Sequence, residues 1–266
     1  QHHHAHIASI LAEHRVAEPV IGIALDGVGM GTDGTVWGGE LLRVDGACFE
    51  RLGHILPYPV VNDAYATSAP WALAASVLHW LGRDADIERR FAKAKKFERI
   101  SQNLKTGTDC QSTTSMGRLF DATAGLLGLT RDAAFRGQGG LLLEGIAERH
   151  GPVAALSDGW ACVDGNLDLR PLFDALADEP DGGRGAALFH ATLAEALADW
   201  LQQAAPAGST VVAGGGCLQN QVLGRRLRDA LHERGLRLIE ARRMPPNDGG
   251  LALGQAWIAL QYLMRE

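Results

Sequence analysis

Residues 25–40 read LDGVGMGTDGTVWGGE, and this stretch decides the fold. The apolar run 20–25 predicts a buried strand that delivers Asp26 into a glycine-rich turn. Residues 35–44 predict a second strand directly after the glycines. A Rossmann fingerprint or a P-loop needs a helix at that point. The glycines are therefore predicted to lie in a strand-to-strand hairpin.

The glycines of this hairpin suit the binding of an anion. Gly27, Gly29 and Gly31 carry no Cβ, so backbone N–H groups can approach an anionic oxygen closely. Asp26 and Asp33 could hold a cation, or orient a water or hydroxyl beside that anion. Actin-like and sugar-kinase-like ATPases hold phosphates in this way. The alternative is a polar hairpin tip whose glycines serve only the turn geometry.

Composition places the chain among globular proteins. It has 266 residues, 46% of them hydrophobic, which is enough for one large domain or two lobes. A net charge of −6 without a basic stripe argues against nucleic-acid binding. No apolar stretch approaches the roughly 20 residues that span a bilayer, so no membrane association is expected. The four cysteines form no C-x-x-C pair, which argues against a zinc module or disulfide framework and predicts a reduced, cytoplasmic setting.

The rest of the chain alternates in the manner of an α/β protein. The polar, irregular stretch 100–115 is the predicted boundary between an N-terminal lobe, residues 1–110, and a C-terminal lobe, residues 111–266. Helices are predicted at 5–16, 71–81, 87–97, 117–127, 140–150, 186–204, 220–234 and 250–263, and further strands at 47–56, 210–213 and 236–240.

The chain opens with QHHHAH rather than with a methionine, so we expect it to be a piece of a longer protein. His2 and His6 stand at i and i+4 of the predicted first helix, so both imidazoles leave one face and can ligate one metal. His3 and His6, at i and i+3, are a poorer pair. Solvated histidines or the remnant of an expression tag are the alternatives.

Two segments near the end of the chain could complete such a site. Residues 244–255, MPPNDGGLALGQ, put Asp248 just before the last helix, where the helix N-terminus keeps a carboxylate ionised. Simple capping by Asn247 or Asp248 is the alternative. Residues 213–220, AGGGCLQN, open a helix with bare backbone that suits the base or phosphate of a nucleotide. A tight strand-to-helix turn would explain them equally.

Six motifs together carry a family resemblance. They are HHHAH, LDGVGMGTDGTVWGGE, SMGRLFDATAGLLG, FHATLAEALA, GGGCLQN and PPNDGGLALGQ. In this order they resemble the carbamoyltransferase domain of the HypF family of hydrogenase maturation factors. The resemblance implies an α/β, two-lobed, actin-like ATPase fold (duplicated RNase H-like), similar to that of tRNA threonylcarbamoyl transferases and antibiotic O-carbamoyltransferases. It also implies that the first strands of the fold and the carbamoyl-adenylate-forming domain are missing from this chain.

The resemblance assigns a metal site and candidate catalytic residues. The family's H-x-x-x-H metal pair matches His2 and His6, and its C-terminal metal aspartate matches Asp248. The aspartate of the glycine loop, close to both metal and phosphate, matches Asp26. His190, in FHATLAEALA, is expected to face the cleft and is the second catalytic candidate beside Asp26.

The resemblance also assigns nucleotide-binding residues. The family's ribose-binding acids match Asp121 and Glu144. The alternative is that both are ordinary solvated helix residues. The family's nucleotide-binding glycine turn and the asparagine that follows match Gly215, Gly216 and Asn220. The glycines of the hairpin are expected to contact the phosphate.

The implied reaction moves a carbamoyl group from carbamoyl adenylate to the C-terminal cysteine of a HypE-like acceptor protein, toward the cyanide ligands of nickel–iron hydrogenases. The implied cofactors are a divalent metal of the iron or zinc type, or magnesium, with ATP, AMP or carbamoyl adenylate. Cys217 is expected to be a small buried residue rather than a covalent carrier. An ATP-dependent kinase, a threonylcarbamoyl or O-carbamoyl transferase of the same fold, and an inactive nucleotide-binding fragment are the alternatives.

Overall fold

The computed structural model describes residues 1–264, and within them seven strands form one mixed sheet while two more form a small second sheet. No helix in this range is long and apolar enough to cross a membrane. The strands are β1 (Val20–Met30), β2 (Val36–Asp45), β3 (Cys48–His54), β4 (Tyr58–Val61), β5 (Cys110–Thr113), β6 (Ala161–Val163), β7 (Asn166–Asp168), β8 (Thr210–Gly214) and β9 (Arg237–Ile239). The α-helices are α1 (His2–His14), α2 (Pro70–Trp80), α3 (Asp84–Phe91), α4 (Phe97–Thr106), α5 (Met116–Leu126), α6 (Gln138–His150), α7 (Arg170–Ala177), α8 (Gly182–Ala204), α9 (Gln221–Glu233) and α10 (Leu251–Leu263).

The large sheet has the order β4, β5, β2, β1, β8, β9, with β3 paired to the same strand, β2, that pairs with β1. Strands β1, β2 and β3 form an antiparallel meander. On the other side of β1, strands β8 and β9 run parallel to it. Strands from both sides of residue 110 therefore share one sheet, and the division into lobes 1–110 and 111–266 stays a prediction.

The two faces of the sheet bury different cores. Because side chains alternate along a strand, Ile23 and Leu25 of β1 enter the larger core while Ala24 enters the smaller one. The larger core packs α2, α5 and α8 against the sheet, and Trp71 and Trp200 are among its fully buried side chains. The smaller core packs α1 against β1, β2 and β8.

Helix α1 is buried nearly all round because it lies between the sheet and α10. The contact with α10 is close enough that a Cβ on Gly254 would lie 2.0 Å from the carbonyl oxygen of Ala5. Polar side chains share this burial, since His3 and His6 are 0% exposed. The histidine run is thus an integral core element, and the tag-remnant interpretation is wrong.

The predicted strand-to-strand hairpin is confirmed, and it contains a bulge. Leu25 pairs with Gly39 and Gly29 pairs with Trp37, so four residue steps on β1 match two on β2. A bulge locally re-aims side chains out of the alternating pattern. It lies at Asp26, the residue that the motif delivers into the turn.

Two predicted segments differ from the structure. The stretch 100–115, predicted to be irregular, contains most of α4 and all of β5, because Ile100 and Leu104 form an apolar face that packs into the larger core. The predicted helix 87–97 is two helices, since it ends at Phe91 and a new helix begins at Phe97. The remaining predicted helices and strands are present, with ends that shift by up to five residues.

Candidate metal and nucleotide site

Four side chains from three distant segments converge at one end of the sheet. His2 and His6 come from the first two turns of α1, Asp26 comes from the bulge of β1, and Asp248 comes from the short turn before α10. One ligand atom from each lies within 4.8 Å of the other three. This is the set predicted to bind a metal, and the chain ends meet because α1 packs against α10.

The separations of these atoms match a metal coordination shell. His2 Nε2 lies 2.8 Å from Asp26 Oδ2, 3.1 Å from His6 Nε2 and 3.5 Å from Asp248 Oδ1. His6 Nε2 lies 3.4 Å from Asp26 Oδ2 and 3.6 Å from Asp248 Oδ1. Ligands about 2.0–2.1 Å from a tetrahedral ion stand about 3.3 Å apart. The donor set, two imidazoles and two carboxylates, also fits a divalent transition metal.

Hydrogen bonds within the cluster shift the pKa values of His2 and Asp26 in opposite directions. The hydrogen bond to Asp26 raises the pKa of His2, despite its partial burial. Burial alone would raise the pKa of Asp26, but the hydrogen bonds with His2 and His6 outweigh it and hold that pKa well below its usual range. Asp26 is therefore a carboxylate at neutral pH. His6 Nδ1 is buried without a hydrogen-bond partner among residues 1–264, so Nε2 is the nitrogen through which this ring acts.

A cavity of about 1040 Å³ adjoins the cluster at Asp26 and Asp248. Its walls come from the β1 bulge, α5, the loop before α6, α6 itself and the glycine turn after β8. A second cavity of about 740 Å³ contains no predicted site residue and lies by the other end of β1, near Val20 and Arg43.

Most of the predicted nucleotide-binding residues line the larger cavity. Gly27, Asp121, Glu144, Gly216 and Asn220 all do so. The chain thus presents a cluster of potential metal ligands at the edge of a cavity lined by glycines and carboxylates.

Comparison with known proteins identifies the family. Residues 22–255 match the family model described as "Carbamoyltransferase, Kae1-like Domain, second subdomain". The chain belongs to the HypF carbamoyltransferase family. It is 46% identical to Carbamoyltransferase HypF2 of Cupriavidus necator, over 98% of this chain and 36% of that protein. It is 44% identical to a Carbamoyltransferase HypF homolog of the same organism, over 97% of this chain and 70% of that protein.

Solved HypF structures share the fold. A crystal structure of full-length HypF in a phosphate- and nucleotide-bound form superposes with a TM-score of 0.84 at 31% identity, covering all of this chain and 43% of that one. The structure of HypF from T. kodakarensis superposes with the same score at 28% identity and covers 36% of that chain. The chain thus spans about a third of the length of most curated HypF relatives that it matches.

Three glycines of the predicted HypF nucleotide site do not line the cavity. A Cβ on Gly29 would lie 2.5 Å from His3 Cε1, and one on Gly31 would lie 2.1 Å from Trp37 Nε1. These two glycines are needed for close packing against side chains. Gly215 has φ 102° and packs against the backbone of Leu25, where a Cβ would lie 2.2 Å from the carbonyl oxygen.

The two predicted ribose-binding acids differ in their environments. Asp121 is largely buried, and its burial raises the pKa to about 6 despite a backbone hydrogen bond from Gly139. Its Oδ1 has no hydrogen-bond partner within residues 1–264. Glu144 accepts a hydrogen bond from the backbone N–H of Gln221 at the start of α9, 2.8 Å away. Both carboxylates keep acceptor capacity toward the cavity.

The prediction that His190 faces the cleft is wrong. Its side chain is 0% exposed, and it lies behind Asn220 rather than in the cavity wall. Its Nδ1 donates to the carbonyl of Ala186 (2.7 Å), so its Nε2 accepts from the Asn220 side-chain amide (2.9 Å). Burial lowers the pKa of His190 to about 4, which keeps the ring neutral in this arrangement. His190 is therefore in a place to hold Asn220 rather than to touch a substrate.

The suggestion that Asp33 holds a cation beside Asp26 is also contradicted. Asp33 accepts from Trp37 Nε1 (3.0 Å) and pairs with Arg51 (3.1 Å). Arg51 in turn pairs with the fully buried Glu40 (2.6 Å). Glu40 also accepts from the backbone N–H of Gly38 and of Gly39. This network fixes the hairpin, and sequence spacing missed it because cross-strand register places Arg51 opposite β2.

One cysteine and two arginines also line the cavity. Cys217 lines it, and burial raises the pKa of its thiol well above the usual value, so it is a thiol at neutral pH as expected. Arg118 and Arg136 also line it, and neither is among the residues predicted from the sequence. The signal for Arg118 was its place in SMGRLFDA, three residues before Asp121. No motif contains Arg136.

Proposed function

We propose that this chain transfers a carbamoyl group from carbamoyl adenylate to the C-terminal cysteine of a HypE-like acceptor protein during nickel–iron hydrogenase maturation. The observation that carries the proposal is the convergence of His2, His6, Asp26 and Asp248 at the edge of the large cavity. Membership of the HypF carbamoyltransferase family indicates that the transferred group is a carbamoyl group. None of the four cysteines forms a disulfide with a described residue, which suits a reducing, cytoplasmic setting.

The chain's own groups would bind and orient the substrate. Asp121 and Glu144 offer carboxylate oxygens to ribose hydroxyls, and Asn220, held by His190, lines the same cavity. Asp26 and Asp248 lie where these elements meet the histidine pair, so the carbamoyl end of the substrate belongs at the cluster. Bound there, a divalent ion of the iron or zinc type would act as a Lewis acid on the carbamoyl oxygen.

The transfer exchanges one bond for another. The acceptor sulfur bonds to the carbamoyl carbon, the bond from that carbon to the phosphate oxygen breaks, and AMP leaves with the electron pair. The proton of the thiol passes to solvent. Cys217 takes no part, because its raised pKa keeps the thiol protonated and therefore a poor nucleophile.

The test supplies metal-loaded chain with carbamoyl adenylate and a HypE-like acceptor, and measures acceptor mass together with released AMP. The expected result is one carbamoyl group on the C-terminal cysteine and one AMP per transfer. An acceptor that lacks its last residue is the control and should gain no mass. Binding of AMP without any modification of the acceptor would contradict the proposal and favour an inactive nucleotide-binding protein.

A further inference from the structure

We propose that Arg118 and Arg136 form the seat for the phosphate of the nucleotide in the large cavity. This assignment rests on the proposed function and deepens it, because it names the groups that hold the anionic part of the substrate. It also replaces the expectation that the hairpin glycines do so.

Arg118 forms no ion pair with any of the described residues 1–264. It is the third residue of α5 and lines the cavity. Its Nη1 is buried and has no hydrogen-bond partner among residues 1–264. Its backbone N–H is satisfied by the N-cap Ser115, whereas its side chain makes no ion pair with a described residue. Burial lowers the pKa of Arg118, with Arg136 adding to the effect. A partly buried charge of this kind is unfavourable until a counter-charge binds.

Arg136 reaches the same part of the cavity from the loop before α6. A Cβ built on Gly27 would lie 3.2 Å from its terminal nitrogen, so the guanidinium lies over the backbone next to Asp26. It too makes no ion pair with any residue in the described range 1–264. Gly27 has no side chain to block this approach, which explains a glycine here better than direct phosphate contact does.

The same cavity is lined by two arginines that form no ion pair with residues 1–264, and this points to an anionic ligand. A shared negative group would relieve their mutual repulsion, and guanidinium forks match the oxygens of a phosphate in pairs. Gly117, in the first turn of α5, also lines the cavity and packs against Gly27. The positive end of the helix therefore points the same way.

The position of the arginines identifies the anion as the phosphate of a nucleotide. Arg118 and Asp121 stand at i and i+3 on one face of α5, about 4.5 Å apart along the helix axis. Arg136 contacts Gly27 on the side of the metal cluster and acts electrostatically on Asp121 on the other side. The arginines thus lie between the metal cluster and the ribose acids, where a phosphate joins a carbamoyl group to a ribose.

The hairpin itself is poorly placed for this role. Gly29 and Gly31 pack against His3 and Trp37, and neither lines the cavity. Of the three glycines expected to contact the phosphate, only Gly27 does line it. The arginines supply the positive charge that the hairpin lacks.

The experiment compares AMP with adenosine, which differ only by the phosphate. Titration calorimetry with the metal-loaded chain should show tighter binding of AMP. In Arg118→Gln and in Arg136→Gln the affinity for AMP should fall about tenfold or more, while the affinity for adenosine stays unchanged. Arg131→Gln is the matched control, because Arg131 is exposed in the same loop and does not line the cavity. Circular dichroism checks that each variant is folded.

Each outcome decides between the seat and the function it rests on. Unchanged AMP affinity in both variants, or an equal loss for AMP and adenosine, would overturn the arginine seat. A wild-type chain that binds neither molecule would overturn the nucleotide cavity and the seat with it. If the wild-type chain binds AMP more tightly than adenosine, and both arginine variants lose this preference, but no carbamoyl transfer occurs, the proposed reaction would be refuted and the arginine seat would be supported.

Discussion

Asp26 and Asp121 line the same cavity, but the pKa of Asp26 is lowered and the pKa of Asp121 is raised relative to an ordinary aspartate. Asp26 is stabilised as a carboxylate by His2 and His6. Asp121 is partly buried, one of its oxygens lacks a hydrogen-bond partner among residues 1–264, and burial raises its pKa to about 6. Burial opposes ionisation in both cases, so the difference comes from the hydrogen-bonding partners. The region around Asp26, here called the assembled region, is held by hydrogen bonds within the chain. The region around Asp121, here called the ligand-binding region, keeps an oxygen that a ligand could bond.

The assembled region is also the better fixed of the two. Three of its four residues stand on α1 and β1, α1 packs against α10, and a network through Arg51 and Glu40 holds the adjoining hairpin. The ligand-binding region uses the loop before α6, where Phe135 is exposed, and two arginines that form no ion pair with residues 1–264. Rigid placement suits metal ligands, and adaptable loops suit a substrate that must enter and leave.

The largest expected effect lies in the assembled region. His2→Ala, His6→Ala or Asp248→Ala should each reduce bound metal from about one ion per chain to none, because each removes one of four ligands. Inductively coupled plasma mass spectrometry measures the metal. His14→Ala, on the same helix but bonded to the carbonyl of Glu240, should keep the ion. Full occupancy in all three cluster variants would contradict the metal assignment.

Asp26→Asn separates charge from shape in the same region. The amide keeps the volume but loses the negative charge that would ligate the metal, so transfer should fall at least about 100-fold with the fold retained. Carbamoylation of the acceptor and circular dichroism are measured together. An active, folded variant would remove Asp26 from the mechanism.

Asp121→Asn tests the other carboxyl group through stability. Its pKa is higher in the folded chain, about 6, than in an unfolded chain, about 3.9, so folding favours the protonated form. The stability of the wild type should therefore fall as the pH rises from about 4 through 6, and then level. The variant should be more stable than wild type by about 2–3 kcal/mol at pH 7 and nearly equal at pH 4. Urea unfolding at both pH values checks this, and an equal difference at both would contradict the raised pKa.

Asn220→Ala probes the link between the cavity and the buried His190. It removes the N-cap of α9 and leaves His190 Nε2 without its partner, so the free energy of unfolding should fall by about 2 kcal/mol. Asp181→Ala removes an exposed N-cap, that of α8, and should lower the free energy of unfolding by less. Urea unfolding compares the two. Equal losses would show that the His190 contact adds nothing.

Local patterns predicted the assembled region well. The spacing of His2 and His6 and the glycine-rich hairpin depend on one helix and one strand pair, so periodicity and turn chemistry carry them. The fit of Asp248 required the motif order of the family, since nothing local shows that α10 packs on α1. The bulge at Asp26 was not predicted, because it arises from the pairing of two strands.

The ligand-binding region was predicted less completely. His190 was expected in the cleft because its helix carries family motifs, but α8 turns that face toward Asn220 inside the core. The pairing of Asp33 with Arg51 depends on cross-strand register, which is not visible in the composition of either strand. Arg136 lies in a loop without a motif, and only the folded chain brings it over Gly27.

The most direct test of the account is a crystal structure of the chain with bound metal and AMP, with the ion located by its anomalous scattering. We expect one ion bonded to Nε2 of His2 and of His6 and to carboxylate oxygens of Asp26 and Asp248, with the AMP phosphate in the adjoining cavity. An ion bound elsewhere, or AMP outside the large cavity while the four side chains stay unliganded, would contradict the central claim.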